Sequence, residues 1–263
     1  MINFDCHAHI YENVTAVPDA RYMPPSPAPL SKWLELQGRH GIKGGVIVQV
    51  SFLGFDNSEL CTALAKLDPK RFAGVAVVPL DVQDDTLDCL VAAGVRGVRW
   101  NLVRRKDLPD LTSATAQMFL GKLRQRNLHL EVHLEGPRLA PVLARVTDQG
   151  VRIVVDHFGL PSEQSPKQDP LIMATESLHD TSMLYFKFSA HYRTSFALSD
   201  HASALLYKLE DDHVVWGSDW PHTQHETETS FTSVQSLIEG FGLKSDRSAV
   251  HDLYGIVIER GES

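Results

Sequence analysis

The sequence predicts an α/β fold, a single (β/α)8 TIM barrel, and three observations carry that expectation. Eight short runs rich in β-branched residues recur along the 263 residues. Helical stretches separate most of them, and several runs are apolar on both faces, as in Val46-Ile47-Val48 and Ile153-Val154-Val155. A barrel strand is covered by side chains inside and by helices outside, so neither face has to be polar. Barrels of this length fold as one domain, and one domain over 1–263 is expected.

The strands are read at 2–6, 45–50, 72–78, 95–100, 129–134, 152–156, 184–188 and 213–217. Segment 11–29 follows the first and carries Pro18, Pro24, Pro25, Pro27 and Pro29, which excludes a helix interior. It reads as a loop over the active-site end of the barrel, either a lid or a surface excursion. Leu30, Trp33 and Leu34 are spaced for one apolar helix face, with Gly41 after His40 as the C-cap. Asp56 and Asn57 are N-caps ahead of Leu60, Leu64 and Leu67, and Thr112 or Ser113 starts the helix carrying Met118, Phe119 and Leu123. A second loop spans 162–170, and a last helix near 245–259 closes the barrel.

Composition narrows the function classes. A net charge of -8, with no Lys/Arg-rich stripe, makes nucleic acid a poor partner. Cys6, Cys61 and Cys89 form no CxxC pair, which suits a reducing cytoplasm. No basic segment leads into a signal-peptide core, and no apolar run approaches the roughly 18 residues of a membrane span. Neither secretion nor a membrane partner is expected. Homo-oligomerisation stays open, since symmetric association is common.

The strongest local signal is Asp5-Cys6-His7-Ala8-His9 at the first strand end, where strand alternation sets His7 and His9 on one face. His133 ends the fifth strand, His157 the sixth and Asp219 the eighth. All eight strand C-termini of a barrel face one crevice, so these groups can meet around one ligand. The competing reading, that each is an independent capping or packing residue, must be invoked at four strand ends.

The segments DCHAH, VVDHFG and WGSDWPH resemble the amidohydrolase superfamily, in the branch that contains 2-pyrone-4,6-dicarboxylate hydrolase and related sugar-acid lactonases. The likeness extends through VQVSFLGFDNS and GVRGVRWNL. It implies a metallo-dependent-hydrolase type of barrel and a hydrolase acting on the ester bond of a small carboxylated lactone.

Arg99, Arg105 and Arg193 lie at or beyond strands four and seven, and planar guanidinium groups bind carboxylates bidentately. The resemblance implies that arginines at these positions hold the substrate carboxylates; Arg104 reads as a solvated surface residue. Ser51, Asn57 and Asn101 are neutral hydrogen-bonding groups near the same strand ends. Asp219 is the expected general base for water, returning a proton to the leaving oxygen, with His7, His9 and His157 polarising the carbonyl.

His7, His9, His133 and Asp219 are also a sensible set for one divalent ion such as Zn2+. The resemblance implies the opposite possibility too. The pyrone-dicarboxylate hydrolase pattern is metal-free with the fifth-strand histidine replaced, and His133 departs from it. No strand shows the carboxylated lysine of a binuclear centre, so two metals are not expected. A metal-dependent decarboxylase shares the ligand set, and a non-catalytic barrel that binds an acidic metabolite is the reading from another class. His222 and His225 read as solvated loop histidines.

Overall fold

The computed structural model describes residues 3–18, 20, 22–243 and 247–257. Eight parallel strands follow one another in order: β1 (Phe4–Ala8), β2 (Gly44–Val48), β3 (Phe72–Ala76), β4 (Val95–Asn101), β5 (His129–His133), β6 (Ile153–Val155), β7 (Leu184–Phe188) and β8 (Val214–Trp216). The helices are α1 (Leu30–Arg39), α2 (Ser58–Leu64), α3 (Asp84–Ala92), α4 (Ala114–Gln125), α5 (Gly136–Leu139), α6 (Leu143–Thr147), α7 (Pro170–Ser177), α8 (Ser199–Leu209), α9 (Phe231–Glu239) and α10 (Arg247–Tyr254). The expected start of the first strand at Ile2 and both ends of the expected last helix lie outside the described residues.

The seam between β1 and β8 closes through the residues just beyond β8. Ala8 and Trp220 form a parallel bridge, the Asp219 amide donates to His7 O at 2.8 Å, and the His9 amide donates to Trp220 O at 2.7 Å. Asp5 fastens the same seam: its carboxylate accepts from the Ser218 amide and hydroxyl and from the Trp33 indole N–H. Burial raises Asp5 to about 6 even with those donors, so at neutral pH it is still the carboxylate they are built for.

Two apolar layers sandwich the strands. Ile47, Val98, Val132, Val155, Phe186 and Trp216 pack outward beneath the helices. Cys6, Val46, Val75, Val154 and Val215 form part of the inner core, together with Val250 and Leu253 of α10. The last helix thus closes the inner core, as expected, with Tyr254 stacked on Phe4. Ser113 is a true N-cap, its hydroxyl accepting from the Ala116 amide. Asn57 stands at the N-cap of α2 but turns its side chain to β3, donating to Val77 O and accepting from Val77 N, which removes it from the site. Among the described residues no helix is long and apolar enough to cross a membrane.

Loop 11–29 is tied down on the C-terminal side of the strands. Tyr11 and Ala28 form an antiparallel bridge, and the Val17 amide donates to Phe52 O. The loop presents Tyr22 to the pocket described next, with the Tyr22 hydroxyl donating to Glu226.

Candidate active site

At the C-terminal ends of the strands a pocket of about 320 Å3 is floored by His9, His133, His157 and Asp219 and walled by Arg99 and Arg193. The aspartate is fully buried, and its Oδ1 stands 3.5 Å from both His7 Nε2 and His9 Nε2 and 3.9 Å from His157 Nε2. Four residues from three strand ends therefore share one point. The rings confirm the clustering: His7 lies 4.9 Å from His9 and from His157, and His133 lies 4.7 Å from His157, all between centroids.

Backbone geometry aims these groups. His157 and Asp219 both adopt left-handed conformations, with φ of 55° and 56°, that non-glycine residues seldom hold without surrounding support. The seam bonds of Asp219, Ser218 and Trp220 supply that support at β8. Gly217 is required beside them, since a Cβ there would stand 2.4 Å from His7 Cβ.

Asp219 Oδ2 is saturated: it accepts from the Tyr192 hydroxyl at 2.6 Å and from Arg193 Nη2 at 2.9 Å. Its Oδ1, like His7 Nε2, is buried without a hydrogen-bond partner. Burial opposes the charge on Asp219, but Arg193, His157 and the other imidazoles outweigh it and hold the carboxyl well below its usual range. Burial pushes the imidazoles the other way: His157 falls to about 3, and His7 and His133 fall well below their ordinary value, with Lys187 and Arg99 respectively adding to the effect. At neutral pH the Asp219 carboxylate thus stands among neutral His7, His133 and His157.

The expected arginines divide. Arg99 donates Nε to Asp156 at 2.7 Å and Nη2 to His133 Nδ1 at 3.0 Å, and Arg193 grips Asp219 and the Thr223 carbonyl. Both line the pocket. Arg105 instead lines an adjoining cavity of about 540 Å3, which meets the first at Ser51, Arg99 and Asn101. Arg105 and Arg104 are exposed.

The proposed ligand atoms also group in a particular way. His7, His157 and Asp219 bring ligand atoms within 4.8 Å of one another, as do His133, Asp156 and His157. His9 joins the first group through Asp219, whereas His133 belongs to the second. The spacing of Asp219 Oδ1 from the two Nε2 atoms, 3.5 Å each, matches neighbouring ligands about 2.1 Å from one tetrahedral ion. With Asp219 Oδ1 and His7 Nε2 unpartnered, the donor set fits a single divalent ion in its spacing.

Sequence reasoning missed the layer beneath. Lys187 of β7 is fully buried and donates to Glu131 and to His7 Nδ1, the latter at 3.1 Å, with Asp156 Oδ1 3.4 Å away. Tyr192, Ser189 and Ser218 were missed too. Ser189 bonds His157 Nδ1 at 2.7 Å. The one available signal was polarity in otherwise apolar strands, as in Leu-Tyr-Phe-Lys-Phe. His222 proves buried beside Tyr192, while His225 pairs with Glu228 at the rim.

A histidine-and-aspartate floor on an eight-stranded parallel barrel matches a known family: residues 4–239 fit the model of the amidohydrolases. The chain belongs to the amidohydrolase family. Curated relatives include lactone hydrolases and a lactone isomerase. A 2-pyrone-4,6-dicarboxylate hydrolase of Comamonas testosteroni is 28% identical over 83% of this chain and 76% of its own length. A 4-sulfomuconolactone hydrolase of Rhizobium radiobacter is 26% identical over 84% of this chain and 76% of its own. Among solved structures, a probable 2-pyrone-4,6-dicarboxylic acid hydrolase of Acinetobacter baumannii with citric acid bound superposes with a TM-score of 0.88 at 27% identity, covering 97% of this chain and all of the other.

Proposed function

We propose that this amidohydrolase opens a small carboxylated lactone by attack of a water activated by Asp219. The observation that carries the reading is the bare Asp219 Oδ1, ringed by three imidazoles at the floor of a pocket whose lining includes Arg99, Arg104 and Arg193. The lactone-hydrolysing relatives support the reaction class, and citrate in the related structure, a small polycarboxylate, is consistent with an acidic ligand.

In this reading the guanidinium groups of Arg99 and Arg193 receive substrate carboxylates, Arg105 reaches from the adjoining cavity, and Ser51 and Asn101 hydrogen-bond at the junction. Asp219 takes a proton from water as its oxygen bonds to the lactone carbonyl carbon. Imidazole N–H groups stabilise the resulting oxyanion. The ring C–O bond then breaks, and Asp219 returns the proton to the leaving oxygen, giving a hydroxy acid or its keto tautomer. A divalent ion held by His7, His9, His157 and Asp219, with His133 adjacent, would supply Lewis acidity and a more acidic water when bound. Three free cysteines suit a reducing, cytoplasmic setting.

A panel of carboxylated pyrones, sugar-acid lactones and their neutral methyl esters, assayed by ring-opening with and without chelator, tests this. Acidic lactones should open and their esters should not. Carbon dioxide release without hydrolysis would replace the reading by a decarboxylase, and binding without turnover would replace it by a metabolite-binding barrel.

A further inference from the structure

Three histidines of the floor are backed by groups that fix where their protons sit. His9 Nδ1 lies 2.8 Å from the Val48 carbonyl, which can only accept, so His9 carries its proton on Nδ1 and turns a lone pair on Nε2 toward Asp219. His133 Nδ1 lies 3.0 Å from Arg99 Nη2, which can only donate, so His133 carries its proton on Nε2. His7 Nδ1 lies 3.1 Å from Lys187 Nζ. Glu131 and Asp156 face that ammonium and keep it charged against burial, so it too can only donate. Asp156 Oδ1 lies 3.6 Å from the same nitrogen, beyond hydrogen-bond reach, so the nearer ammonium sets the tautomer: His7 Nδ1 accepts, and its proton stands on Nε2, which has no hydrogen-bond partner among the described residues.

We propose that Lys187 and Arg99 are positioning residues that lock His7 and His133 as neutral Nε2–H donors, making them the oxyanion-binding groups of the pocket and withholding their lone pairs from a metal ion. A histidine that ligates a metal is usually backed by a carboxylate or a carbonyl, which draws the proton to the rear nitrogen and frees the front one. Here His9 is backed in that manner at 2.8 Å, whereas behind His7 the Asp156 carboxylate stands at 3.6 Å, farther than the Lys187 ammonium at 3.1 Å. The cations behind His7 and His133 reverse the arrangement, so the four-residue spacing that fits an ion is met by a proton pattern that opposes it. The two Nε2–H groups can stabilise an oxyanion as neutral donors, with no proton uptake and no charge to desolvate. This donor role rests on the lactone-opening reading; the proton positions do not.

Ring-¹⁵N-histidine NMR of the full-length chain at neutral pH reads protonated from bare ring nitrogens directly, with signals assigned by their loss in single His7→Gln, His9→Gln and His133→Gln variants. His7 and His133 should show Nε2–H and His9 should show Nδ1–H. A proton on Nδ1 of His7 or of His133 overturns the proposal. In Lys187→Met, zinc should bind more tightly, by about 10- to 100-fold, and lactone turnover should fall by a similar factor with KM little changed. Unchanged zinc affinity in a folded Lys187→Met chain would count against the lock. If that variant does not fold, Lys187→Met/Glu131→Gln removes the stranded carboxylate, and the wild-type NMR decides without either. Failure of every lactone to open, with the proton pattern as stated, would remove the reaction and leave the lock standing.

Discussion

Replacing Asp219 by Asn isolates the base from the rest of the site. The amide is isosteric, so its oxygen can still accept from Tyr192 or Arg193, and the pocket keeps its shape. What disappears is the proton acceptor at Oδ1, the atom placed 3.5 Å from two imidazoles. Loss of a positioned base costs about 100- to 10,000-fold in turnover, or about 2.7 to 5.5 kcal/mol of transition-state stabilisation. Stability should fall as well, because Arg193 loses its buried counter-ion. The full penalty for stranding one member of a buried pair is about 3–5 kcal/mol. The Arg193 side chain is 15% exposed and opens on the pocket, so solvent offsets part of this, and about 1–3 kcal/mol is the expected loss. Freed from the carboxylate, Arg193 is available to an acidic substrate, so KM should hold or drop. Steady-state kinetics on an acidic lactone, with urea denaturation of both proteins, gives all three numbers. A folded Asp219→Asn enzyme with kcat within tenfold of wild type would refute the assignment of Asp219 as the base.

The pH profile follows from the same burial. His157 is lowered to about 3 and His222 to about 4, chiefly by desolvation, and Asp219 stays ionised, so kcat/KM should run flat from neutrality down to about pH 6, where Asp5 of the seam begins to gain its proton, and an acid limb near pH 7 would contradict it. These imidazoles bind protons in the unfolded chain but not in the folded one between about pH 6.5 and their depressed values; unfolding free energy should therefore fall with falling pH, by about 1.4 kcal/mol per unit for each, as urea titrations at pH 7 and 5 would reveal. Gly217→Ala alters no titratable group, yet its Cβ would press on His7 at 2.4 Å; a loss of about 1–3 kcal/mol with depressed turnover is expected, and wild-type stability would show that the seam yields more easily than argued. Arg105→Ala, at an exposed position in the adjoining cavity, should raise KM for dicarboxylates while leaving kcat and thermal stability in place; an unaltered KM would remove Arg105 from substrate binding.

Much of the fold was legible because barrel strands carry their own signature. Val46-Ile47-Val48 and Ile153-Val154-Val155 announce strands buried on two sides, and the structure has strands there at Gly44–Val48 and Ile153–Val155. His7, His9, His157 and Asp219 were legible as strand-end residues, and barrel geometry sends strand ends to one crevice. Tertiary structure alone decided the rest. Closure sets β1 against the chain beyond β8, so Asp5 meets Ser218 across 213 positions, a contact no local pattern encodes. It decided that Arg99 backs His133 while Arg105 faces another cavity, and that Asn57 serves β3. Above all it buried Lys187, a residue type that sequence reading assigns to solvent, against Glu131, Asp156 and His7 from three other parts of the chain. Whether a charge is inside or outside depends on which strands close around it, and the proton on each histidine depends on the atom behind it. Residue order along the chain carries the first kind of information only through alternation, and the second hardly at all.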